Sequence, residues 1–219
     1  MSEKKKEKKP IHRTPVGVAV WPRLIEPDTK FNAEGVYSIK LRLSSEEAAP
    51  YVAEVDRLTA IELAALKKEV TGKKDKKGKP LVAKEADLPY SINDEEGTVE
   101  LSFKLKAKGK DSKTGKEWEQ KPGLFDAKGT PVKVNVWGGS KVKVAFEYVP
   151  FHNAKVGAGV SLRLKAVQII ELVTAGGGAT SEYYGFEEEE GFTADDTADT
   201  SSDTEAAEGE DSQDEPEDF

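Results

Sequence analysis

Residues 138–172, with the sequence GGSKVKVAFEYVPFHNAKVGAGVSLRLKAVQIIEL, contain two regular strand patterns. In the first pattern, apolar side chains occupy every second position, at Val142, Val144, Phe146 and Tyr148. The second pattern places them at Val160, Leu162, Leu164 and Ala166 and continues through residues 169–173. Alternation with a period of two is typical of a strand that buries one face. We therefore expect two strands here, joined by a polar loop.

The same alternation occurs earlier in the chain, at residues 16–20, 37–43, 99–105 and 132–136. Each of these segments is expected to form a strand with one buried face. The first strand is expected to end at Trp21-Pro22, because proline cannot donate a hydrogen bond to a neighbouring strand.

One segment differs from the strands and has the spacing of an amphipathic helix that ends at about Val70. Ser44 or Ser45 is expected to cap it, and Glu46 and Glu47 lie at the positive end of the helix dipole. Five or six strands with one helix inserted between the early strands predict an all-β protein, a small barrel such as the OB-fold. A β-sandwich is the alternative architecture for this pattern.

The two ends of the chain differ in charge from the region between them. Residues 1–14 are predicted to form a disordered basic arm, because residues 2–10 contain no apolar side chain except that of proline. Residues 176–219 are predicted to form a disordered acidic tail, since residues 182–219 hold 17 acidic residues and no basic ones. Residues 15–175 would then form one folded domain. The whole chain has a net charge of -8, whereas residues 1–181 carry +9.

The composition argues against several kinds of active site. With no cysteine and only two histidines, the chain lacks the residues for disulfides, thiolate metal sites or a Ser-His-Asp triad. Residues 72–79 and 109–116 resemble phosphate-binding loops, but five residues separate their glycines where a P-loop has four. No apolar stretch approaches the roughly 20 residues that span a membrane. We therefore expect a cytosolic protein that is not an enzyme and has no metal, cofactor or membrane partner.

The polar faces of three strands carry pairs of cations that are two residues apart. These pairs are Lys104 with Lys106, Lys141 with Lys143, and Arg163 with Lys165. Such neighbours lie about 6.6 Å apart along a strand, a distance suited to the phosphates of an extended single strand. Alternating cations are also normal on a solvated face, so each pair by itself has that second explanation.

Three aromatic residues lie in polar surroundings near these cations. Phe151 follows Pro150 at a strand end, Trp137 precedes two glycines, and Trp118 lies beyond a basic hairpin. Unpaired bases stack on aromatic rings with about 1–3 kcal/mol each, whatever their sequence. Cations and rings together predict binding of single-stranded nucleic acid. In that interpretation Lys104, Lys106, Lys141, Lys143 and Arg163 contact phosphates, and Phe151 and Trp137 stack on bases.

Residues 138–172, followed by a glycine triplet and an acidic tail ending in Asp218-Phe219, resemble the replisome single-stranded DNA-binding proteins of T-odd podoviruses. The segments EGVYSIKLRL (34–43) and FKLK (103–106) match that family in the same order. The resemblance implies an OB-fold and a homodimer. It also implies a role in phage DNA replication, recombination and repair in the cytoplasm of an infected bacterium. The tail, through its final Phe219, would bind the phage DNA polymerase and helicase-primase.

The resemblance also suggests individual DNA-binding positions. By position in the matching segments, the family's DNA-binding basic pair corresponds to Lys104 and Lys106, and its stacking aromatic corresponds to Phe151. Lys143 matches a basic strand position of the family. Two positions depart from the family, because His152-Asn153 replace a second aromatic in the loop and Glu34 replaces a basic residue. Two other functions fit the residues: an acidic-tailed interaction or chaperone protein that binds no DNA, and an OB module that binds RNA.

Overall fold

The computed structural model of this chain describes residues 10–30, 32–74, 78–111 and 114–173. The predicted acidic tail, residues 176–219, lies outside the described residues, as do residues 1–9 of the predicted arm. His12–Arg13, which lie within the predicted arm, form a short strand, β1, that pairs with residues 145–146. The His12 ring packs on Phe146 and Tyr148 at centroid distances of 5.8 and 4.8 Å, and this aromatic contact holds the start of the domain.

The described residues form strands and one long helix, which confirms the predicted all-β class. After β1 come β2 (Gly17–Asp28), β3 (Val36–Ser44), the helix α1 (Ser45–Val70) and β4 (Tyr90–Asn93). Next along the chain are β5 (Thr98–Lys106), β6 (Lys108–Lys110), β7 (Glu117–Glu119) and β8 (Gly123–Phe125). The last two strands are β9 (Lys141–Asn153) and β10 (Gly157–Glu171).

Five strands close into a barrel in the order β2–β3–β5–β10–β9. Antiparallel pairs join β2 to β3, β3 to β5 and β10 to β9. Strand β9 returns to β2 through the pair Gly17–Val142, and β5 runs parallel to β10. This closed five-stranded arrangement is the OB-fold. The predicted barrel is therefore confirmed, and the β-sandwich alternative is wrong.

The helix α1 lies between β3 and β4 in the chain and begins directly after Ser44, one of the two predicted caps. The Ser44 side chain accepts a hydrogen bond from the backbone N–H of Glu47, and the Glu47 carboxylate accepts one from the Ser44 N–H. This reciprocal pair is a capping box. The helix buries Ala48, Val55 and Leu66 and packs against β9 and β10. The other side of the barrel therefore stays uncovered by the helix.

The core fills the barrel and sets which side chains face outward. Tyr37, Phe103 and Leu162 are almost completely buried. Because successive side chains of a strand point to opposite faces, the next residue on each strand lies outside. These outward residues are Ser38, Lys104 and Arg163.

Strand β2 is longer than predicted. It continues past Trp21-Pro22 to Asp28, because its register against β3 shifts between Val20 and Arg23. A bulge leaves an extra residue unpaired, so a proline beside it removes no ladder hydrogen bond.

The inward face of β2 also differs from the prediction, because Gly17 and Ala19 point to the core and Val18 is exposed. A Cβ atom on Gly17 would lie 2.6 Å from Leu43 Cδ2. Glycine at this position therefore lets the strands of the barrel approach each other closely.

Residues 132–136 do not form the predicted strand. Val136 is buried, and Val132 and Val134 pack against the core. The segment has no strand ladder, although the Val132 N–H donates a hydrogen bond to the Leu124 carbonyl at 3.0 Å. The three valines alternate because every second side chain of this segment faces the core. A segment can bury alternate side chains in this way without pairing as a strand.

Candidate nucleic-acid interface

A groove of about 660 Å³ lies on the outer surface of the barrel, beside the β6–β7 hairpin. Its lining residues are Val36, Lys104, Leu105, Lys106, Trp118, Gln120, Val149, Phe151, Ser161 and Arg163. Four of the predicted site residues therefore lie together: Lys104, Lys106, Phe151 and Arg163. Trp118 joins them from the hairpin. None of the described residues that line the groove is acidic.

Strand register brings the three cations of the groove together. Arg163 on β10 lies directly opposite Lys104 on β5, and adjacent strands are about 4.8 Å apart. Lys106 lies two residues further along β5 and is also exposed. The groove thus presents three positive charges on two neighbouring strands.

Two of these cations have carboxylate partners. Lys106 Nζ lies 3.3 Å from Glu34 Oε2, and Arg163 Nη1 lies 3.7 Å from Glu147 Oε2. Lys104 is exposed and forms no ion pair within the described part of the chain. Exposed ion pairs contribute only about 0–1 kcal/mol. An incoming phosphate can therefore replace Glu34 at Lys106 with little loss of stability. Glu147 is buried, so the Arg163 pair is not of this exposed kind.

Two aromatic rings border the groove, and each lies over a glycine. Phe151 on β9 is paired with Gly159 on β10, where a Cβ would lie 3.4 Å from the Phe151 ring. Trp118 on β7 is paired with Gly109 on β6, where a Cβ would overlap the indole. Phe151 is partly exposed, and Trp118 is 39% exposed. Both rings are thus accessible to an unpaired base.

His152 does not add a ring to the groove. Its Nδ1 lies 2.5 Å from Glu62 Oε2, and its Nε2 lies 3.6 Å from Glu69 Oε2, both on α1. His152 points to the opposite face of β9 from Phe151, as expected for successive strand residues. The loop that resembles a two-ring platform in sequence therefore supplies one ring here.

The structure does not bring Lys141 and Lys143 into the groove. They share the outward face of β9 with Phe151, but Lys143 is about 26 Å along the strand from it, at roughly 3.3 Å per residue. Lys141 Nζ also lies 2.8 Å from Glu171 Oε2. Sequence spacing relates neighbours within a strand, but it does not indicate where along the strand a groove lies.

Trp137 also lies outside the groove. It is 47% exposed and lines a second cleft of about 680 Å³, together with Trp21 and Arg23. The two clefts share none of their lining residues. The prediction had placed Trp137 and Phe151 in one site.

Glu100 on β5 forms ion pairs with two cations of the neighbouring strand β3. Glu100 accepts hydrogen bonds from Arg42 Nη2 at 2.9 Å and from Lys40 Nζ at 3.2 Å. The Arg42 hydrogen bond, followed by that of Lys40, holds the pKa of Glu100 below its ordinary value of 4.5 even though burial acts to raise it. Lys40 and Arg42 thus share one carboxylate of low exposure, whereas Lys104 forms no ion pair within the described residues.

Some groove residues were not predicted. Val149 and Ser161 form a cross-strand pair, each two residues before a predicted site residue, Phe151 and Arg163. The two-residue period of the strands therefore could have indicated that Val149 and Ser161 share the face of Phe151 and Arg163. Val36, the first residue of β3, lies opposite Lys106 of β5 and has the outward parity of Ser38. Gln120 lies between β7 and β8, where the sequence offers no periodic signal.

Among the residues that the structure describes, no group of three or more His, Cys, Asp or Glu side chains is placed to hold a metal ion. The helix α1 lacks the continuous apolar length needed to cross a membrane, and no other helix within the described ranges has it.

Comparison with known proteins gives a consistent result. The family described as "Single-stranded DNA-binding protein, Bacteriophage T7" matches residues 19–172. A single-stranded DNA-binding protein of Enterobacteria phage T3 is 34% identical over 172 residues, covering 74% of this chain and 73% of that protein. The single-stranded DNA-binding protein of Escherichia phage T7 is 37% identical over 119 residues, covering 53% of this chain and 50% of that protein.

A solved structure is also similar. The crystal structure of gp2.5, a single-stranded DNA-binding protein encoded by bacteriophage T7, matches with a TM-score of 0.66 and 28% sequence identity. The match covers 78% of this chain and 97% of the gp2.5 chain. The region matched by the family includes every residue that lines the groove.

Proposed function

This chain belongs to the family of the bacteriophage T7 single-stranded DNA-binding protein, and from that membership we propose that it binds single-stranded DNA and catalyses no reaction. The observation that carries the proposal is the presence of Lys104, Lys106, Arg163, Phe151 and Trp118 in one groove. The cations would neutralise phosphates, and the two rings would stack on unpaired bases. Neither contact depends on base identity, so binding would tolerate any sequence.

The groove favours a single strand over a duplex. A base has to be unpaired before its face can stack on a ring such as Phe151 or Trp118. Duplex-binding proteins commonly insert a recognition helix into the major groove. Here α1 carries Glu46 and Glu47 in its first turn and packs on the barrel, which suits it poorly to that role.

The proposal extends to the biological setting. The relatives come from Enterobacteria phage T3 and Escherichia phage T7. By analogy, the protein would coat exposed strands during phage DNA replication, recombination and repair, as a homodimer in the cytoplasm of an infected bacterium. Its acidic tail would recruit the phage DNA polymerase and helicase-primase through Asp218 and Phe219. Both residues lie outside the described part of the chain, so their support comes from the sequence.

Salt-dependent binding to oligo-dT tests the groove. If about four to six phosphates are neutralised, log K should fall against log salt with a slope near -3 to -4. The double variant Lys104→Ala, Lys106→Ala should weaken binding and flatten the slope by roughly one to two units. As a matched control, Lys67→Ala with Lys68→Ala removes two charges from the last turn of α1 and should leave the slope unchanged. An unaltered slope in the groove variant would contradict the proposal.

Two further measurements address the alternatives. Competition between DNA and RNA oligomers of equal sequence separates a DNA-binding role from an RNA-binding module. Failure of the full-length protein to bind either oligomer, at any salt concentration, would favour the interaction or chaperone alternative.

Recruitment by the tail has its own test. Deleting Phe219 removes no side-chain charge, so the affinity for DNA should stay the same, but a partner's pocket loses an aromatic anchor. Recovery of the cognate DNA polymerase in a pull-down should therefore fall. Equal recovery with the full-length and shortened proteins would contradict this part of the proposal.

A further inference from the structure

A second cleft, of about 680 Å³, lies between the bulge of β2 and residues 135–138. Its lining residues are Trp21, Pro22, Arg23, Leu24, Ile25, Glu26, Asn135, Val136, Trp137 and Gly138. It thus contains two of the three tryptophans of the chain. The function proposed for the groove does not involve this cleft.

Trp21 is held at the mouth of this cleft in an unusual conformation. Its side chain is 81% exposed, the largest value among the exposed apolar residues of the described ranges, and its backbone φ is +48°. It lies where the register of β2 shifts by one residue, between Val20 and Arg23. A bulge redirects a side chain, and a bulky residue at positive φ is strained. Strain of this kind is found mostly at functional sites, and so exposed a side chain gives the core little packing.

A row of paired residues connects this cleft to the groove. Arg23 on β2 lies opposite Ser38 on β3, and Ser38 lies opposite Lys104 on β5. Lys104 in turn lies opposite Arg163 on β10. Across three strand spacings of about 4.8 Å, the row measures about 14 Å. The row crosses the strands on the outside of the barrel. Ser38, which is small and uncharged, lies between Arg23 on one side and Lys104 and Arg163 on the other.

We propose that the cleft of Trp21 and Trp137 is a second base-stacking subsite for the same single strand of nucleic acid. In this arrangement the strand leaves the groove at Arg163 and Lys104, crosses β3 over Ser38, and reaches the cleft at Arg23. The phosphates lie on the row of cations, and bases at the far end stack on Trp21 and Trp137. The inference rests on the proposed function of the groove. It adds the path that the bound strand takes across the barrel and the cleft at which that path ends.

The charges around the cleft favour this occupant over a second copy of the chain. Arg23 reaches Asp28 only at 3.8 Å, with 61% of its side chain exposed, so it remains available to a phosphate. Glu26 is the acidic residue among the described lining positions, and a stacked base, which is uncharged, tolerates a carboxylate better than a phosphate does. The cleft therefore offers two tryptophan rings on which bases can stack and one cation for a phosphate. These are the groups that bind single-stranded nucleic acid.

Oligonucleotides of two lengths test the proposal. OB-folds occupy about 4 to 16 nucleotides, so oligo-dT of about 6 and about 16 nucleotides would cover one subsite or both. Trp21→Ala should weaken binding of the longer oligomer by roughly 5- to 150-fold, the loss expected for one stacked base. Binding of the shorter oligomer, which is satisfied by the groove, should change less than about twofold. Trp21→Phe, which keeps a stacking ring, should restore most of the affinity for the longer oligomer.

Fluorescence gives a second readout. The double variant Trp118→Phe, Trp137→Phe leaves Trp21 as the sole tryptophan, because the chain has three. Its emission should be quenched when the longer oligomer binds. Binding without quenching would overturn the proposal.

Matched variants separate failure of this inference from failure of the groove. Val82→Ala removes apolar surface from another residue that is 76% exposed and should have no effect with either oligomer. If Phe151→Ala weakens binding of both lengths but Trp21→Ala and Trp137→Ala weaken neither, the groove stands and the second subsite is wrong. If Phe151→Ala is silent with both lengths, the groove itself is wrong. A change of oligomeric state in Trp21→Ala, with normal DNA binding, would assign the cleft to contact between copies and also overturn the inference.

Discussion

At the scale of single residues, Phe151 owes its accessibility to the residue opposite. Gly159 has no side chain, so the ring lies over the backbone of β10 on one side and stays partly exposed on the other. The neighbouring His152 is bound to Glu62 and Glu69 of α1, which fixes that end of β9. The ring is thereby supported without being part of the core, as a stacking surface requires.

We predict that Phe151→Ala lowers the affinity for single-stranded DNA by about 1–3 kcal/mol, the contribution of one stacked base. The melting temperature should stay nearly the same. A core phenylalanine would instead cost about 3–5 kcal/mol of stability when replaced by alanine. Titration with oligo-dT and thermal unfolding distinguish the two cases. The control Ile61→Ala, at a residue of α1 that is 52% exposed, should leave DNA affinity unchanged.

At the scale of elements, the β6–β7 hairpin attaches Trp118 to the groove. The two strands form a separate sheet, and the Thr114 N–H donates to Asp111 Oδ1 at 2.8 Å within the connecting turn. A two-stranded hairpin is only marginally stable by itself. Its position therefore depends on contacts such as that of the Gln120 side chain, which donates a hydrogen bond to the Lys106 carbonyl at 3.0 Å.

We predict that Gly109→Ala weakens DNA binding without lowering the melting temperature of the barrel. The added methyl group would overlap the Trp118 indole, so the ring has to leave its place. If the effect acts through Trp118, combining Gly109→Ala with Trp118→Ala should weaken binding no more than Trp118→Ala alone, because contacting residues are not additive. Measured affinities of the three variants check this. Strictly additive losses would show that Gly109 acts in another way.

A second element-scale prediction concerns the ion pairs of Glu100 between β3 and β5. Arg42 and Lys40 lower the pKa of Glu100 in the folded protein. At a pH above the ordinary carboxyl pKa of 4.5, the ionised Glu100 side chain therefore stabilises the folded state. That contribution is lost as the pH falls through the lowered pKa. We expect Glu100→Gln to lower the melting temperature near neutral pH and to have little effect in strong acid. Thermal unfolding across this pH range measures the difference, and a pH-independent effect would contradict the assignment.

At the scale of the whole molecule, charge is divided between two parts of the chain. Residues 182–219 hold 17 acidic residues, whereas residues 1–181 carry a net charge of +9. The charges act over about 8 Å at physiological salt. We therefore expect a polyanionic tail on the same chain to compete with DNA for the cations of the barrel.

We predict that truncation after Gly178 raises the affinity for single-stranded DNA at low salt. The truncation removes all 17 tail carboxylates and leaves the +9 of the remaining chain. The gain in affinity should shrink as salt rises, because screening weakens the attraction between the acidic tail and the basic domain. Equilibrium binding of the full-length and truncated proteins at several salt concentrations measures it. Equal affinities at low salt would mean that the tail does not oppose DNA binding.

The sequence was sufficient for features that depend on neighbouring residues. The two-residue period predicted the buried faces of β3, β5 and β9, and that of β10 as far as Leu164. Beyond it a bulge places Val167 in the core where Ala166 was expected. Ser44 or Ser45 was the predicted cap of α1, and Ser44 is the cap in the structure. The sequence also indicated Lys104, Lys106 and Arg163, because a strand that buries one face exposes the alternate residues on the other. Phe151 was selected for its place after Pro150 in a polar segment and for the family resemblance. The separation between a basic domain and an acidic tail followed from counting charged residues along the sequence.

Only the tertiary structure decided which of these exposed residues share a surface. Parallel pairing of β5 with β10 placed Arg163 beside Lys104, while about 26 Å of strand kept Lys143 away from Phe151. The bulge at Trp21 and the unpaired path of residues 132–136 moved Trp137 into a separate cleft. Alternation reports burial within one strand, whereas register, bulges and barrel closure depend on contacts between residues distant in sequence. For that reason the sequence identified four of the residues that line the groove, and the others became evident only in the folded chain.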